Sequence, residues 1–177
     1  VYIGAPRFGA RAAAGNSIDD IRQLCSYAHQ YGAKVYVTLN TIVYDDEIES
    51  VRTAIIRLEE AGVDAILVQD MAILQLAKEL SLSTHLSPLS TQLHASTQTD
   101  NRTPEKVRWL HDIGFSRAVL ARELSAEEIA KIHREVPGIE LEVFVHGALC
   151  VSYSGICYAS EHCFHRSANR GECAQFC

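Results

Sequence analysis

The sequence predicts a parallel α/β barrel of the TIM type, present as a truncated segment of about six β/α units and followed by a cysteine-rich loop. Three observations predict it. Short β-branched apolar runs alternate with amphipathic stretches at intervals of roughly 25 to 30 residues, the length parallel strands need for their crossovers. No glycine-rich phosphate loop follows the first strand run, which removes the strongest signal for the other fold of this pattern, the open doubly wound sheet. Nearly every strand run also ends on a polar side chain, as expected where barrel strands feed the face that carries chemistry.

The elements follow in order. Val1-Tyr2-Ile3-Gly4 is a short strand ending on glycine. Asn16-Ser17 with Asp20 predicts a capped helix start, and Ile18, Ile21, Leu24, Cys25 and Ala28 recur at helical spacing until Gly32. Lys34 to Leu39 is a β-branched strand ending at Asn40. Ile48, Val51, Ile55 and Leu58 form the stripe of a second helix, which Gly62 ends. Ala65-Ile66-Leu67-Val68 is a continuous apolar run, as for a strand buried on both faces, and a short helix follows through Leu80. A strand around Leu93–Ser96 leads into Thr97-Gln98. Thr103-Pro104 caps a helix that ends at Gly114. Arg117–Ala121 is the next strand, Ser125 with Glu128 is a capping box, and Glu140–Val145 is the last strand.

The chain has 177 residues, 47% hydrophobic and 21% charged, an ordinary globular balance for one domain. No run approaches the roughly 18 apolar residues of a membrane span, and no basic leader precedes one, so a cytoplasmic protein is expected. The formal charge of −6 gives no general attraction to nucleic acid or anionic lipid. The chain starts on a strand at Val1 without methionine and stops at Cys177 inside a motif, and is therefore expected to be a piece of a longer protein. Its expected division is an incomplete barrel over 1–146 and a cysteine-rich loop over 147–177 that continues beyond the chain end.

The predicted strand ends bring Asn40, Gln69-Asp70, Thr97-Gln98, Arg122-Glu123 and His146 to one rim. Asn40, Gln69, Thr97, Gln98, Arg122 and the loop residue Arg11 are the substrate-binding candidates, because amides read polar edges and guanidinium groups hold carboxylate or phosphate. His146, Glu123 and Asp70 are the catalytic candidates. Arg7, Arg11, Arg166 and Arg170 lie in loops of the same face, where they would form a local basic surface, and Phe8 is placed to stack a base. A non-catalytic scaffold predicts few convergent polar groups at the rim, against this set.

Five of the six cysteines, Cys150, Cys157, Cys163, Cys173 and Cys177, fall in the last 28 residues. A barrel of this size needs no disulfide staples, so metal binding is favoured. Zinc and an iron–sulfur centre both accept four thiolates; the paired Cys-x-x-Cys spacing of zinc ribbons is absent, and the loose glycine-containing spacing suits a larger cluster. Cys25 lies on a helix stripe and reads as core.

Glu142-Val-Phe-Val-His-Gly-Ala-Leu-Cys150 with Ser154-Gly-Ile-Cys157 resembles the signature of peptidase family U32, the collagenase-like proteases. Val1–Gly4, Phe8–Arg11 with Asn16, Tyr36–Asn40, Ser96–Gln98 and Asn169–Cys173 are similar to further family segments, so the resemblance covers nearly the whole chain. It implies a barrel whose first strand precedes Val1. It also implies an iron–sulfur protein of the 4Fe–4S kind. Such a protein supports hydroxylation of a pyrimidine in tRNA or rRNA, or of a small aromatic quinone precursor. Cys150, Cys157 and Cys173 carry over as metal ligands, Cys177 matches the fourth of some members, and Cys163 is spare. The alternative under the family label is peptide hydrolysis by Cys150 with His146 as base. Against it, a thiolate committed to a cluster is not a free nucleophile, and neither His-Glu-x-x-His nor Gly-x-Ser-x-Gly occurs.

Overall fold

The computed structural model describes residues 1–83, 89–147 and 149–177. Six parallel strands form one sheet in the order β1-β2-β3-β4-β5-β6. They are β1 Tyr2–Gly4, β2 Tyr36–Leu39, β3 Ala65–Val68, β4 Gln92–Ala95, β5 Arg117–Val119 and β6 Glu140–Glu142. Between them run α1 Ile18–His29, α2 Ile48–Ala61, α3 Met71–Ser83, α4 Pro104–Ile113 and α5 Ala126–Glu135. Strand order equals chain order with no reversal, so every right-handed crossover steps the same way and all five helices lie on one face. That is the wall of a barrel. A doubly wound sheet reverses direction at its switch point and is excluded.

Alternation sorts each strand. Val35, Val37 and Leu39 of the β2 segment, Ile66 and Val68 of β3, and Ala95 and Ala118 belong to the buried apolar layer beneath the helices. The intervening residues face the lumen; Ala65, Leu67 and Val119 are apolar there, while Tyr36, Thr38, His94, Arg117, Glu140 and Glu142 are polar. At the N-terminal end of the sheet the Tyr36 ring meets Tyr2 edge-on at 5.4 Å and His94 at 4.9 Å, with the Arg117 guanidinium 5.1 Å over its face. Arg117 pairs with Glu140 at 2.5 Å and Glu142 at 3.0 Å, and the Tyr2 hydroxyl donates to Glu142. Tyr2 lies on the first strand and Glu142 on the last. The arc therefore curls until its two edges meet through side chains, although they share no strand pairing. Burial, then the Arg117 charge, pushes His94 down to about 4, so its ring is neutral at ordinary pH.

Two expectations change. β5 and β6 stop at Val119 and Glu142, short of the expected Ala121 and Val145. Val119 is the last strand partner of Glu142, and among the described residues β6 has no strand on its other side to hold residues 143–146 extended. The tail also contains a short helix, α6 Ala159–Phe164, that periodicity does not announce. No helix among the described residues is long and apolar enough to cross a membrane.

Candidate functional site: a barrel mouth beneath a cysteine-rich tail

The C-terminal ends of the strands are tied together by short polar links. Asn40 is buried; its Oδ1 accepts from the Ala10 N–H at 2.9 Å and its Nδ2 donates to Ser96 Oγ at 3.1 Å. It thus fixes the β1–α1 loop to β4, and most of its amide is committed to the protein. Asp70 accepts from the Val43 N–H at 3.0 Å and the Ala72 N–H at 2.9 Å, anchoring the β2–α2 loop and the start of α3. Both carboxylate oxygens serve backbone donors, so the catalytic role expected of Asp70 gives way to an anchoring one.

The tail lies on this rim through two clamps. At the first, buried Ser154 donates from its backbone N–H to Glu123 Oε1 at 2.7 Å and from its hydroxyl to Glu123 Oε2 at 3.1 Å. Thr97 Oγ1 donates to the same hydroxyl at 3.3 Å, and Arg122 Nη2 donates to the Ser152 carbonyl at 3.4 Å. Burial alone would raise the Glu123 carboxyl, but its own backbone N–H and the two Ser154 donors hold it below the ordinary range. An ionised carboxylate engaged at both oxygens is a clamp, which corrects the catalytic expectation for Glu123. Thr97, expected to bind substrate, is likewise buried in this clamp. Gly155 sits at φ +106°, and a Cβ there would stand 2.7 Å from the Gln98 carbonyl oxygen. Gly155→Ala is expected to weaken docking by about 2 kcal/mol or more, since a left-handed residue and a backbone clash act together. Faster proteolysis within residues 150–158, with the sheet's circular dichroism unchanged, checks this.

At the second clamp Arg170 donates to Glu47 at 2.6 and 2.7 Å, one nitrogen to each oxygen, and to the Ile42 carbonyl, with its guanidinium 4.5 Å over Tyr44. The hydrogen bond from Arg170 holds the Glu47 carboxyl below its ordinary range. The Ala12 N–H donates to Gly171 O at 3.0 Å, and the Ile42 N–H to Asn169 O at 3.3 Å. Glu47 was not legible as a site residue, and Ser154 and Asn169 stood out only as members of family-like motifs, without the clamp role they take here. Glu47 stands in an acidic run that reads as a helix start, and its partner is 123 residues away.

Three predicted residues remain available. Gln69 Oε1 and Arg122 Nε are buried without a hydrogen-bond partner, and the Gln98 side-chain amide makes none among the described residues. Arg11 is exposed at the rim. His146 and Cys150 are both exposed and make no hydrogen bond to each other, so the Cys–His pair is not assembled. The shorter β6 explains it: His146 lies four residues past the strand end instead of on it.

All tail cysteines are free thiols. The Cys157 backbone N–H donates to Asn169 Oδ1 at 3.2 Å. A hydrogen bond from Ser152, then the Ala159 and Ser160 N–H groups, lower the Cys157 thiol against the opposing effect of burial. Cys173 Sγ lies 4.0 Å from Ser160 Oγ, the residue whose N–H faces Cys157. Cys157 and Cys173 thus both neighbour Ser160, and their thiols are chemically suited to a thiolate ligand set. Cys150 and Cys177 are exposed, and no three candidate ligands converge among the described residues.

The sequence profile of peptidase family U32 matches residues 1–177. The chain belongs to peptidase family U32. Within U32 it is 52% identical over 177 residues to the 23S rRNA 5-hydroxycytidine C2501 synthase of Escherichia coli K12, covering all of this chain and 25% of that protein. It is 35% identical over 178 residues to tRNA hydroxylation protein P1 of Bacillus subtilis 168, covering 40% of it, and 34% identical over 193 residues to the collagenase of Porphyromonas gingivalis W83, covering 43%. The chain thus spans less than half the length of these U32 relatives. The solved U32 peptidase Mk0906 matches over 80% of this chain and 58% of its own, with TM-score 0.61 and 18% identity, which establishes the shared fold.

Proposed function

We propose that this chain is the barrel segment of a U32 enzyme that hydroxylates a pyrimidine in ribosomal or transfer RNA, holding the base at the barrel mouth beneath the cysteine-rich tail. The observation that carries the reading is the pair of buried polar atoms left without partners at the rim, the acceptor Gln69 Oε1 and the donor Arg122 Nε. A buried unpaired group costs stability, so such atoms mark a place where a ligand completes the hydrogen bonding. A pyrimidine edge offers both complements: an exocyclic amine or ring N–H to donate, and ring carbonyl oxygens to accept. A base must leave its stack to reach such a site, and the pocket then reads its pairing edge.

The names of two relatives support this substrate class, one rRNA and one tRNA, over the quinone precursor. In this reading Cys150, Cys157, Cys173 and Cys177 would hold an iron–sulfur cluster. When bound, such a cluster supplies one-electron chemistry. The chain's own contribution is orientation: Gln69 and Arg122 fix the base, and the two clamps hold the tail, with Cys157 and Cys173, against the rim that receives it.

The test compares modified nucleosides of rRNA and tRNA from cells with and without the gene, by liquid chromatography and mass spectrometry. Loss of one hydroxylated pyrimidine, restored by the intact gene and not by a Gln69→Ala, Arg122→Ala version, is expected. An unchanged nucleoside profile would overturn the reading.

A further inference from the structure

Two adjoining depressions lie outside the mouth, on the flank of the β1–α1 loop, and four arginines line them. The larger, about 400 Å³, is bounded by Arg7, Phe8, Ser50, Thr53 and Arg57, where the loop faces the first half of α2. The smaller, about 190 Å³, shares Arg7 and Phe8 and runs on to Arg11 and Arg170 beside the rim. Together they form one groove leading from α2 to the mouth. Two carboxylates enter it: Glu47 is paired within the groove with Arg170, which offsets that one cation, and Glu49 is paired with Arg52, outside the lining, at 3.4 Å. Arg7 lies 3.8 Å from Glu47 with its side chain 66% exposed, while Arg11 and Arg57 have no ion-pair partner among the described residues.

The groove thus carries a surplus of positive charge on a chain whose formal total is −6. A charge concentrated against that background is not solubility dressing, for which signs are interspersed. Its outline also suits an extended polyanion over a single small anion, because Arg57 lines the larger depression, Arg11 and Arg170 the smaller, and Arg7 is shared between them. Phe8 sits in the middle at φ 64°, a left-handed conformation a bulky residue rarely adopts, with the Arg7 guanidinium 4.9 Å over its ring. Strained residues of this kind cluster at ligand sites. The Ser50 hydroxyl adds a neutral donor on the α2 side, while that of Thr53 donates to the Glu49 carbonyl at 2.9 Å.

We infer that this groove seats the sugar–phosphate backbone of the RNA flanking the target base, with Arg57 and Arg7 as phosphate contacts and Arg11 at the step into the mouth. The inference rests on the RNA reading above and adds where the strand outside the pocket runs. It separates two tasks on one rim: Gln69 and Arg122 specify the base, and the groove supplies affinity without sequence. Arg57 is the least expected member, since it lies on a helix that the sequence presents only as a core-facing stripe.

The experiment measures binding of a short RNA hairpin to the full-length protein by fluorescence anisotropy across a salt series. The comparison variants are Arg57→Gln and the Arg7→Gln, Arg57→Gln double substitution. Each lost phosphate contact should flatten the plot of log affinity against log salt by about 1, and the double variant should bind roughly tenfold more weakly near 0.1 M salt, independent of loop sequence. Both residues are exposed, and the thermal midpoint should stay at the wild-type value. Arg134→Gln on exposed α5, away from the groove, should leave the slope unchanged. Wild-type binding with the same slope in the double variant, or an equal loss from Arg134→Gln, would overturn the groove and leave the hydroxylation reading standing. Failure of the wild-type protein to bind RNA at all would overturn both.

Discussion

Cys157→Ser is expected to remove bound iron and RNA hydroxylation in the same anaerobic preparation. Of the tail cysteines, Cys157 has the surroundings most like those of a ligand thiolate, with a Ser152 hydrogen bond and the Ala159 and Ser160 N–H groups favouring its charged form. Serine keeps the size and forfeits the soft sulfur that iron prefers. The effect should be a loss of activity to background, while the fold survives, because Cys157 is half-buried in a loop outside the core. Cys150→Ser sharpens the comparison. A cluster ligand at Cys150 loses iron with activity. A peptidase nucleophile at Cys150 loses peptide cleavage with iron intact. The structure leaves Cys150 and His146 exposed and unbonded to each other, so no cleavage is expected from either protein. Stoichiometric zinc in place of iron in the wild-type preparation would refute the cluster.

Arg170→Gln should open the second clamp. The Glu47 carboxylate, 9% exposed, would be left beside the Tyr44 backbone N–H without the cation that now serves both its oxygens. Losing hydrogen bonds to a charged group in a largely buried setting costs about 1.5–3 kcal/mol, less than a fully buried pair because water reaches Arg170. If that cost falls on tail docking, thiol labelling of Cys157 and Cys173 accelerates roughly tenfold to a hundredfold. An unchanged labelling rate would show that the Ser154 clamp holds the tail alone. The clamp also carries a pH signature. Glu47 has its folded value below the unfolded one, so its contribution is complete above the ordinary carboxylate range, about 4.3. It is lost as pH falls through the lower folded value; wild type should therefore approach the variant in acid, and the two should differ most at neutral pH.

The fold was legible because its signals are local. Ser17 with Asp20 and Ser125 with Glu128 form the capping boxes their spacing announces, Thr103 caps α4 ahead of Pro104, and β3 occupies Ala65–Val68 as its apolar run predicts. The site was legible only in outline. Asn40, Thr97, Gln98 and Arg122 do gather at one rim, since strand polarity dictates it. Their tasks depend on partners in the tail, 57 residues from Thr97 to Ser154 and 123 from Glu47 to Arg170, and no periodicity encodes such pairs. Glu123 and Asp70 show the difficulty: a carboxylate at a strand end looks the same in sequence whether it awaits substrate or holds a loop. The lumen floor was missed for a related reason, because Tyr2, Tyr36, His94 and Arg117 each look unremarkable on a separate strand.

The clamps also set an order of assembly. Neighbouring strands pair across about 30 residues, and each β/α unit can form on its predecessor with modest loop closure, as Tyr36 on Tyr2 and Ala65 on Tyr36 do. Arg170 must instead find Glu47 and Ile42 across more than 120 residues, and Gly171 must fit against the Gly9 carbonyl, 2.5 Å from where a Cβ would stand. Such contacts gain little until the β1–α1 and β2–α2 loops already hold their final shapes. The tail is then the last piece to settle, and Cys157 and Cys173 acquire their clamped surroundings only on a finished sheet. A barrel with a misformed first or second unit would leave both sulfurs in solvent, which ties a competent cysteine site to a correctly built scaffold.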